Sequence, residues 1–147
     1  MGKQSVLCKD TPAFIANRVG VFAIQALFHA VEDMGLTVEA VDKLTGPAMG
    51  RPKSATFRTC DVVGLDTLVH VAKGVADHCP NDERSEVFAI PSYVKHLVDQ
   101  GWLGSKSGQG FYKTVITDGK KAIHALDLKT LDYKSKQKVQ SATPTKI

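Results

Sequence analysis

The sequence predicts a mainly α fold: a bundle of four helices closed by a small C-terminal β-hairpin. Three observations carry this expectation. Apolar residues recur at threes and fours through most of the chain, which is the helical period. Gly and Pro punctuate those runs where helices would stop. Beyond Phe111 the period gives way to two short β-forming runs around an Asp-Gly turn. The 147 residues suffice for one ordinary domain, and a composition 43% hydrophobic and 23% charged is that of a globular protein.

Taken in order, Val6-Leu7-Cys8 is too brief to be an independent unit. Thr11 is placed to cap a first helix, with Pro12 in its opening turn, where a missing N–H costs nothing. Phe14, Ile15, Val19, Phe22, Ala23, Ala26, Leu27, Ala30, Val31 and Met34 then give an amphipathic helix from about Pro12 to Asp33, ended by Gly35. Thr37 caps a second, shorter helix carrying Val38, Val41 and Leu44, which Gly46-Pro47 stops. After a loop at 50–53, Ser54 is expected to cap a third helix with Phe57, Cys60, Leu65, Leu68, Val69, Ala72 and Val75 on its stripe. Gly64 is its kink or close-packing point. Pro91-Ser92 opens a fourth helix with Val94, Leu97 and Val98, ending at Gly101. A glycine-rich loop, Gly104–Gly110, leads into the hairpin, whose strands at 111–116 and 121–128 flank Thr117–Lys120. From about Lys134 the chain is polar and is expected to be disordered.

Composition excludes several function classes. No apolar run approaches the roughly 18 residues of a membrane span, and the first residues lack the apolar stretch of a signal peptide. Cys8, Cys60 and Cys79 are odd in number and without a C-x-x-C spacing, which argues against a disulfide scaffold or zinc site and fits a reducing cytoplasm. The net charge of +4 sits wholly in the last quarter of the chain, where residues 113–147 hold 8 Lys and 3 Asp. That segment has no arginine, so the forked-donor chemistry of nucleic-acid readers is missing and a solvated lysine-rich stretch is the expectation.

Candidate chemistry is sparse. His29, His70, His78, His96 and His124 form no H-E-x-x-H pair and no ligand set with acidic residues, so none is expected to be catalytic or to bind metal. The loop Gly104–Gly110 could cradle an anion through its amides or could be a packing turn, and both readings stay open. It is not a dinucleotide fingerprint, because it follows a helix and opens a strand. On the residues alone this is a helical domain without a complete active site.

Four stretches change that. Lys9-Asp10-Thr11-Pro12-Ala13-Phe14-Ile15-Ala16-Asn17-Arg18 closely resembles the segment joining the two domains of L-3-hydroxyacyl-CoA dehydrogenases, usually written KDTPGFIxNR. Gly50 through Phe57 is similar to the family's Met-Gly-Pro-Phe segment. Asp61-Val62-Val63-Gly64-Leu65-Asp66-Thr67 matches its D-x-VGLD-T stretch, and Trp102 through Lys113 resembles its closing G-x-K-x-G-x-GFY. All four fall in the family's order, over residues 3–113. The tail at 125–133 resembles a connector of longer bacterial multifunctional fatty-acid oxidation proteins.

The resemblance implies the helical C-terminal domain of a two-domain enzyme, of the kind shared by 3-hydroxyacyl-CoA and 6-phosphogluconate dehydrogenases. Residues 1–9 would be the last strand of an NAD-binding domain, 10–113 the helical domain, and 114–147 a hairpin and basic connector to a further domain. NAD and the histidine general base would belong to the other domain, so no cofactor is expected on this chain. The helical domain would complete the acyl-CoA cleft and form a homodimer, with neither nucleic acid nor membrane as partner; Leu65, Leu68, Val69 and Ala72 are candidates for part of that contact, unless the same stripe serves the core. Asn17 is the residue that carries over, its amide reaching the substrate near the thioester and the base. Arg18 is expected to be structural, paired with a carboxylate or a backbone carbonyl. Two departures stand out: Ala13 replaces the usual glycine, narrowing the approach at the domain junction, and Arg51-Pro52-Lys53-Ser54-Ala55-Thr56 replaces Pro-Phe-Glu-Leu, so the acyl pocket does not transfer. A non-catalytic helical association module is the rival reading; a polyanion-binding adaptor, resting on the lysine tail alone, is a third.

Overall fold

In the structure, a computed structural model that describes residues 2–117 and 119–135, the first helix begins later than its apolar pattern suggests. α1 runs Ala16–Met34 and ends at Gly35, whose left-handed φ of 62° lets its N–H return to Glu32 and Val31. Thr11 does not cap it. Ala13 and Phe14 both have positive φ, 65° and 47°, and a right-handed helix cannot propagate back through them. The buried face is Val21, Gln25, Phe28 and Val31, one residue per turn; Phe14, Ile15, Val19 and Met34, part of the expected stripe, are exposed.

α2, Val38–Thr45, forms as its sequence predicts, with the Thr37 hydroxyl accepting from the Ala40 N–H at 3.2 Å. A 3-10 turn, Pro47–Met49, follows and closes at Gly50. The expected third helix is two. α3, Phe57–Val63, and α4, Leu65–His78, are separated at Gly64, whose φ of 100° and ψ of 128° lie outside any helix. The Leu65 N–H, freed by this break, donates to the Leu103 carbonyl at 3.0 Å. Ser54 is not the cap of α3. The amides of Thr56, Phe57 and Arg58 donate instead to the carboxylate of Asp42, from α2. A negative group there also meets the positive end of the helix dipole.

Leu65, Leu68, Val69, Ala72 and Val75 of α4 are all buried in the core of the protomer. The stripe thus serves the chain's own core, the second of its two readings. α5, Ser92–Asp99, places Tyr93, Val94 and Leu97 inward. At the centre, Phe28 stacks on Phe57 at 5.4 Å, and Phe111 meets Phe57 edge-on at 4.6 Å. The Tyr93 hydroxyl donates to the Phe28 carbonyl at 3.0 Å. These rings join α1, α3, α5 and the approach to the sheet, and each carries a large apolar area into the core.

The hairpin forms in the expected place. β1, Tyr112–Thr117, pairs antiparallel with β2, Lys120–Leu126, from Tyr112 opposite Ala125 to Thr117 opposite Lys120; Asp118 lies outside the described residues. A third strand was not expected. β3, Tyr133–Ser135, pairs with β2 and gives the order β1-β2-β3, so Lys134 and Ser135 are ordered opposite Ala125 and His124. The link is set by Asp127, whose carboxylate accepts from Lys129 and Thr130 and ion-pairs with Lys134. The remainder of the tail, residues 136–147, lies outside the described residues. Among the described residues no helix is long and apolar enough to cross a membrane.

Candidate functional site

The one residue singled out for chemistry, Asn17, sits in the opening turn of α1 and is exposed. No side chain caps this helix, and its first turn carries no acidic residue. The first carbonyl to receive a helical bond is that of Ile15, from the Val19 N–H at 3.0 Å. The amides before Val19 therefore point out of the helix start, at the positive end of a 19-residue dipole. Beside them the Asn17 carboxamide adds two side-chain donors. A carbonyl oxygen gaining negative charge would be stabilised there, which is what an oxyanion-type site requires.

Arg18 turns toward the protein. Its guanidinium ion-pairs with Asp82 at 2.5 Å, reaching a residue 64 positions away in the turn after α4. Asp82 is held in that turn: its carboxylate also accepts from the Arg84 N–H at 3.0 Å, and its own N–H donates to the Cys79 carbonyl at 3.0 Å. The Arg18 guanidinium holds the Asp82 carboxyl below the usual carboxylate range. The expectation that Arg18 serves structure through a carboxylate holds, and the structure supplies the partner.

The stretches 61–67 and 102–113, which a motif reading could place in an active site, are two halves of one clasp. Asp61, only 4% exposed, accepts from the N–H of Phe111 at 2.8 Å and of Tyr112 at 2.9 Å. Lys106 reaches both carboxylate oxygens of Asp66 at 2.6 Å. Gly104 and Gly110 press so closely on Asp61 that a methyl group at either would overlap it, and Gly104 also needs its φ of 105°. This decides between the two readings of the glycine loop. It is a packing turn: its glycines let Asp61 approach, and the amides that hold the Asp61 carboxylate are those of Phe111 and Tyr112, just beyond the loop.

Tyr112 ties this clasp to Asp42, since its N–H serves Asp61 while its hydroxyl donates to Asp42 at 2.8 Å. Arg58 stacks over the Tyr112 ring, 4.7 Å from its centroid. Burial raises the pKa of both carboxyls: that of Asp61 is pushed up to about 6 despite its two N–H bonds, with the Asp42 charge adding to the rise. Sequence reasoning assigned no role to Asp42 or Asp82. The only signal for Asp42 was an acid between Val41 and Leu44 on a short helix; for Asp82 it was the expectation that Arg18 pairs with a carboxylate or a carbonyl.

The histidines take ordinary structural positions. His29 meets the Ala89 carbonyl at 3.0 Å and His78 the Gly74 carbonyl at 2.9 Å, while His96 lies edge-on to Trp102. Among the described residues no group of three or more His, Cys, Asp or Glu side chains could hold a metal, and Cys8, Cys60 and Cys79 are all free thiols. A groove of about 1030 Å³ lies between Val31, Leu36, Tyr93, Leu126 and Leu131. It opens beside Gly35 at the far end of α1, roughly 27 Å along the helix from Asn17 at 1.5 Å per residue. It is thus separate from the Asn17 site.

The family model for the 3-hydroxyacyl-CoA dehydrogenase C-terminal domain matches residues 14–114. A protein of Bacillus subtilis described as a probable 3-hydroxyacyl-CoA dehydrogenase is 50% identical over 141 residues, covering 96% of this chain and 17% of the relative. A Deinococcus radiodurans protein of the same description is 48% identical over 113 residues, 77% of this chain and 32% of the relative. The crystal structure of FadB2 from M. tuberculosis superposes with a TM-score of 0.67 at 33% identity, over 78% of this chain and 38% of that one. The chain thus spans less than two fifths of the length of each of these three relatives.

Proposed function

This chain belongs to the 3-hydroxyacyl-CoA dehydrogenase C-terminal domain family, and from that premise we propose that it is the substrate-side and dimer-forming domain of a cytoplasmic, NAD-dependent oxidoreductase that oxidises L-3-hydroxyacyl-CoA in fatty-acid β-oxidation. The observation that carries the reading is the exposed Asn17 carboxamide at the uncapped, positive start of α1, inside the matched range. In this reading Asn17 donates to the substrate carbonyl as charge builds on it, and orients the general base, which another domain contributes.

NAD does not fit the residues described. A dinucleotide site needs a strand, then a glycine-rich loop, then a helix whose first amides meet the pyrophosphate, and among the described residues every strand follows the last helix. The glycine loop here follows α5, opens β1, and closes on Asp61 instead. The proposal therefore assigns NAD to a preceding domain, of which residues 1–9 would be the last strand, and 114–147 to the link toward a further one. For the homodimer the proposed surface is the exposed apolar end of α3, Val62 and Val63.

The test is Asn17→Ala in a full-length enzyme carrying this domain. Losing one donor aimed at developing charge should lower kcat by about 10- to 1,000-fold. Because the side chain is exposed, the unfolding midpoint should stay close to that of the parent. A kcat near the parent's would return Asn17 to the helix surface.

A further inference from the structure

We propose that Asp82 is a positioning residue for the reaction, acting through Arg18 to fix the turn of helix that presents Asn17. The inference rests on the reading of Asn17 above and adds to it the part of the protein that holds Asn17 in place.

Local sequence does little to hold the start of α1. The residues before it, Ala13 and Phe14, take left-handed backbone conformations that side-chain-bearing residues avoid, so the preceding chain favours unwinding rather than extending the helix. No side chain caps the first turn, and no acidic residue in it steadies the dipole. Phe14, Ile15, Asn17 and Val19 are exposed on this domain, so its own core restrains the first turn only through the partly buried Ala13 before it and from Val21 onward. The first buried residue of α1 is Val21. Within the first turn the tie to the body of the protein is the ion pair of Arg18 with Asp82.

That tie is well placed to set orientation. Asp82 is the stiffer partner, 14% exposed against 34% for Arg18, and it is fixed by the Cys79 carbonyl and the Arg84 N–H. The turn containing it leads directly into the 3-10 turn Ser85–Phe88, whose Phe88 is buried against the same core as α1. Arg18 and Asn17 are adjacent in the helix, so fixing the azimuth of one fixes that of the other. With the pair cut, the first turn frays up to Val21 and the Asn17 carboxamide loses its direction. A displacement of about 1 Å in a substrate-orienting group is enough to cost on the order of 100-fold in rate.

The experiment uses the full-length enzyme with Asp82→Ala, Arg18→Ala, the double variant and Asp82→Glu, beside Asn17→Ala. Each single variant should lower kcat by about 10- to 100-fold, with a much smaller change in KM. The double variant should be no worse than the poorer single, because both remove one interaction. Asp82→Glu, which keeps the charge, should recover most of the rate. Hydrogen exchange gives a second readout: in Asp82→Ala the amides of Val19, Gly20 and Val21, the first to donate within α1, should exchange faster while those of α4 do not. Single variants with the parent's kcat, a double variant that loses the product of the two, or unaltered first-turn exchange would overturn the inference. Asn17→Ala separates this failure from that of the site: if it is deleterious while the Asp82 variants are silent, only the positioning role falls, and if it is silent, both fall.

Discussion

Replacing Asp61 by asparagine preserves shape and isolates the electrostatics of the clasp. Burial lifts the Asp61 pKa from 3.8 to about 6. At about 1.36 kcal/mol per pH unit, keeping it ionised near neutral pH costs on the order of 3 kcal/mol. The folded protein binds this proton more tightly than the unfolded chain does. Its contribution is therefore present in full below about pH 4 and is lost as the pH rises through 6. Asparagine does not titrate, so Asp61→Asn lacks this loss. It can accept from only one of the Phe111 and Tyr112 N–H groups, and its own NH₂ faces the other, at a cost of about 1–3 kcal/mol. At about pH 4 the variant should thus be the less stable protein by that amount. By about pH 7.5 the gap should have closed or reversed, a swing of about 3 kcal/mol. The single tryptophan, Trp102, packs on Tyr133 beside the clasp and reports unfolding by fluorescence. Urea titrations of the parent and the variant across this range provide the comparison. Parallel stability profiles would mean that Asp61 is not the titrating group that this geometry makes it.

Three further outcomes follow from the same structure. Gly110→Ala should destabilise by about 3 kcal/mol or more, since its methyl overlaps the Asp61 carboxylate, whereas Gly74→Ala, with open space in α4, should stabilise by about 0.5–1 kcal/mol; equal unfolding midpoints would refute the close approach. Ala13→Gly should stabilise by up to about 1 kcal/mol in urea, because glycine adopts the left-handed φ of 65° without the strain that alanine carries. Sedimentation equilibrium should find a dimer at tens of micromolar that persists in high salt, as an apolar contact predicts; Val62→Lys should weaken it, and a monomeric parent would remove dimerisation from this domain.

The sequence by itself determined the elements whose causes are local. Thr37 caps α2 and Gly35 ends α1 because a side-chain oxygen and a left-handed glycine meet their own neighbours in the chain. The hairpin needed only two β-forming runs and a short turn between them. The family, too, was legible, since its motifs are strings of residues: Asn17 lies in one of them. What those strings do was not legible. Asp42, Asp61 and Asp82 read as ordinary acids on or after helices, and a linear pattern cannot distinguish a solvated carboxylate from one enclosed by amides that arrive from 14 to 51 positions away or paired with a guanidinium 64 positions away. The break at Gly64 similarly depended on Leu103 supplying the carbonyl that the interrupted helix lacks. β3 formed because β2 offered a free edge to residues that had no strand pattern of their own. The late start of α1 was decided by backbone conformation at Ala13 and Phe14, where neither side chain favours a left-handed turn. Only the tertiary structure could settle these points: all but the start of α1 depend on a partner that proximity in the fold, and not in the chain, provides, and that start runs against the local backbone preference.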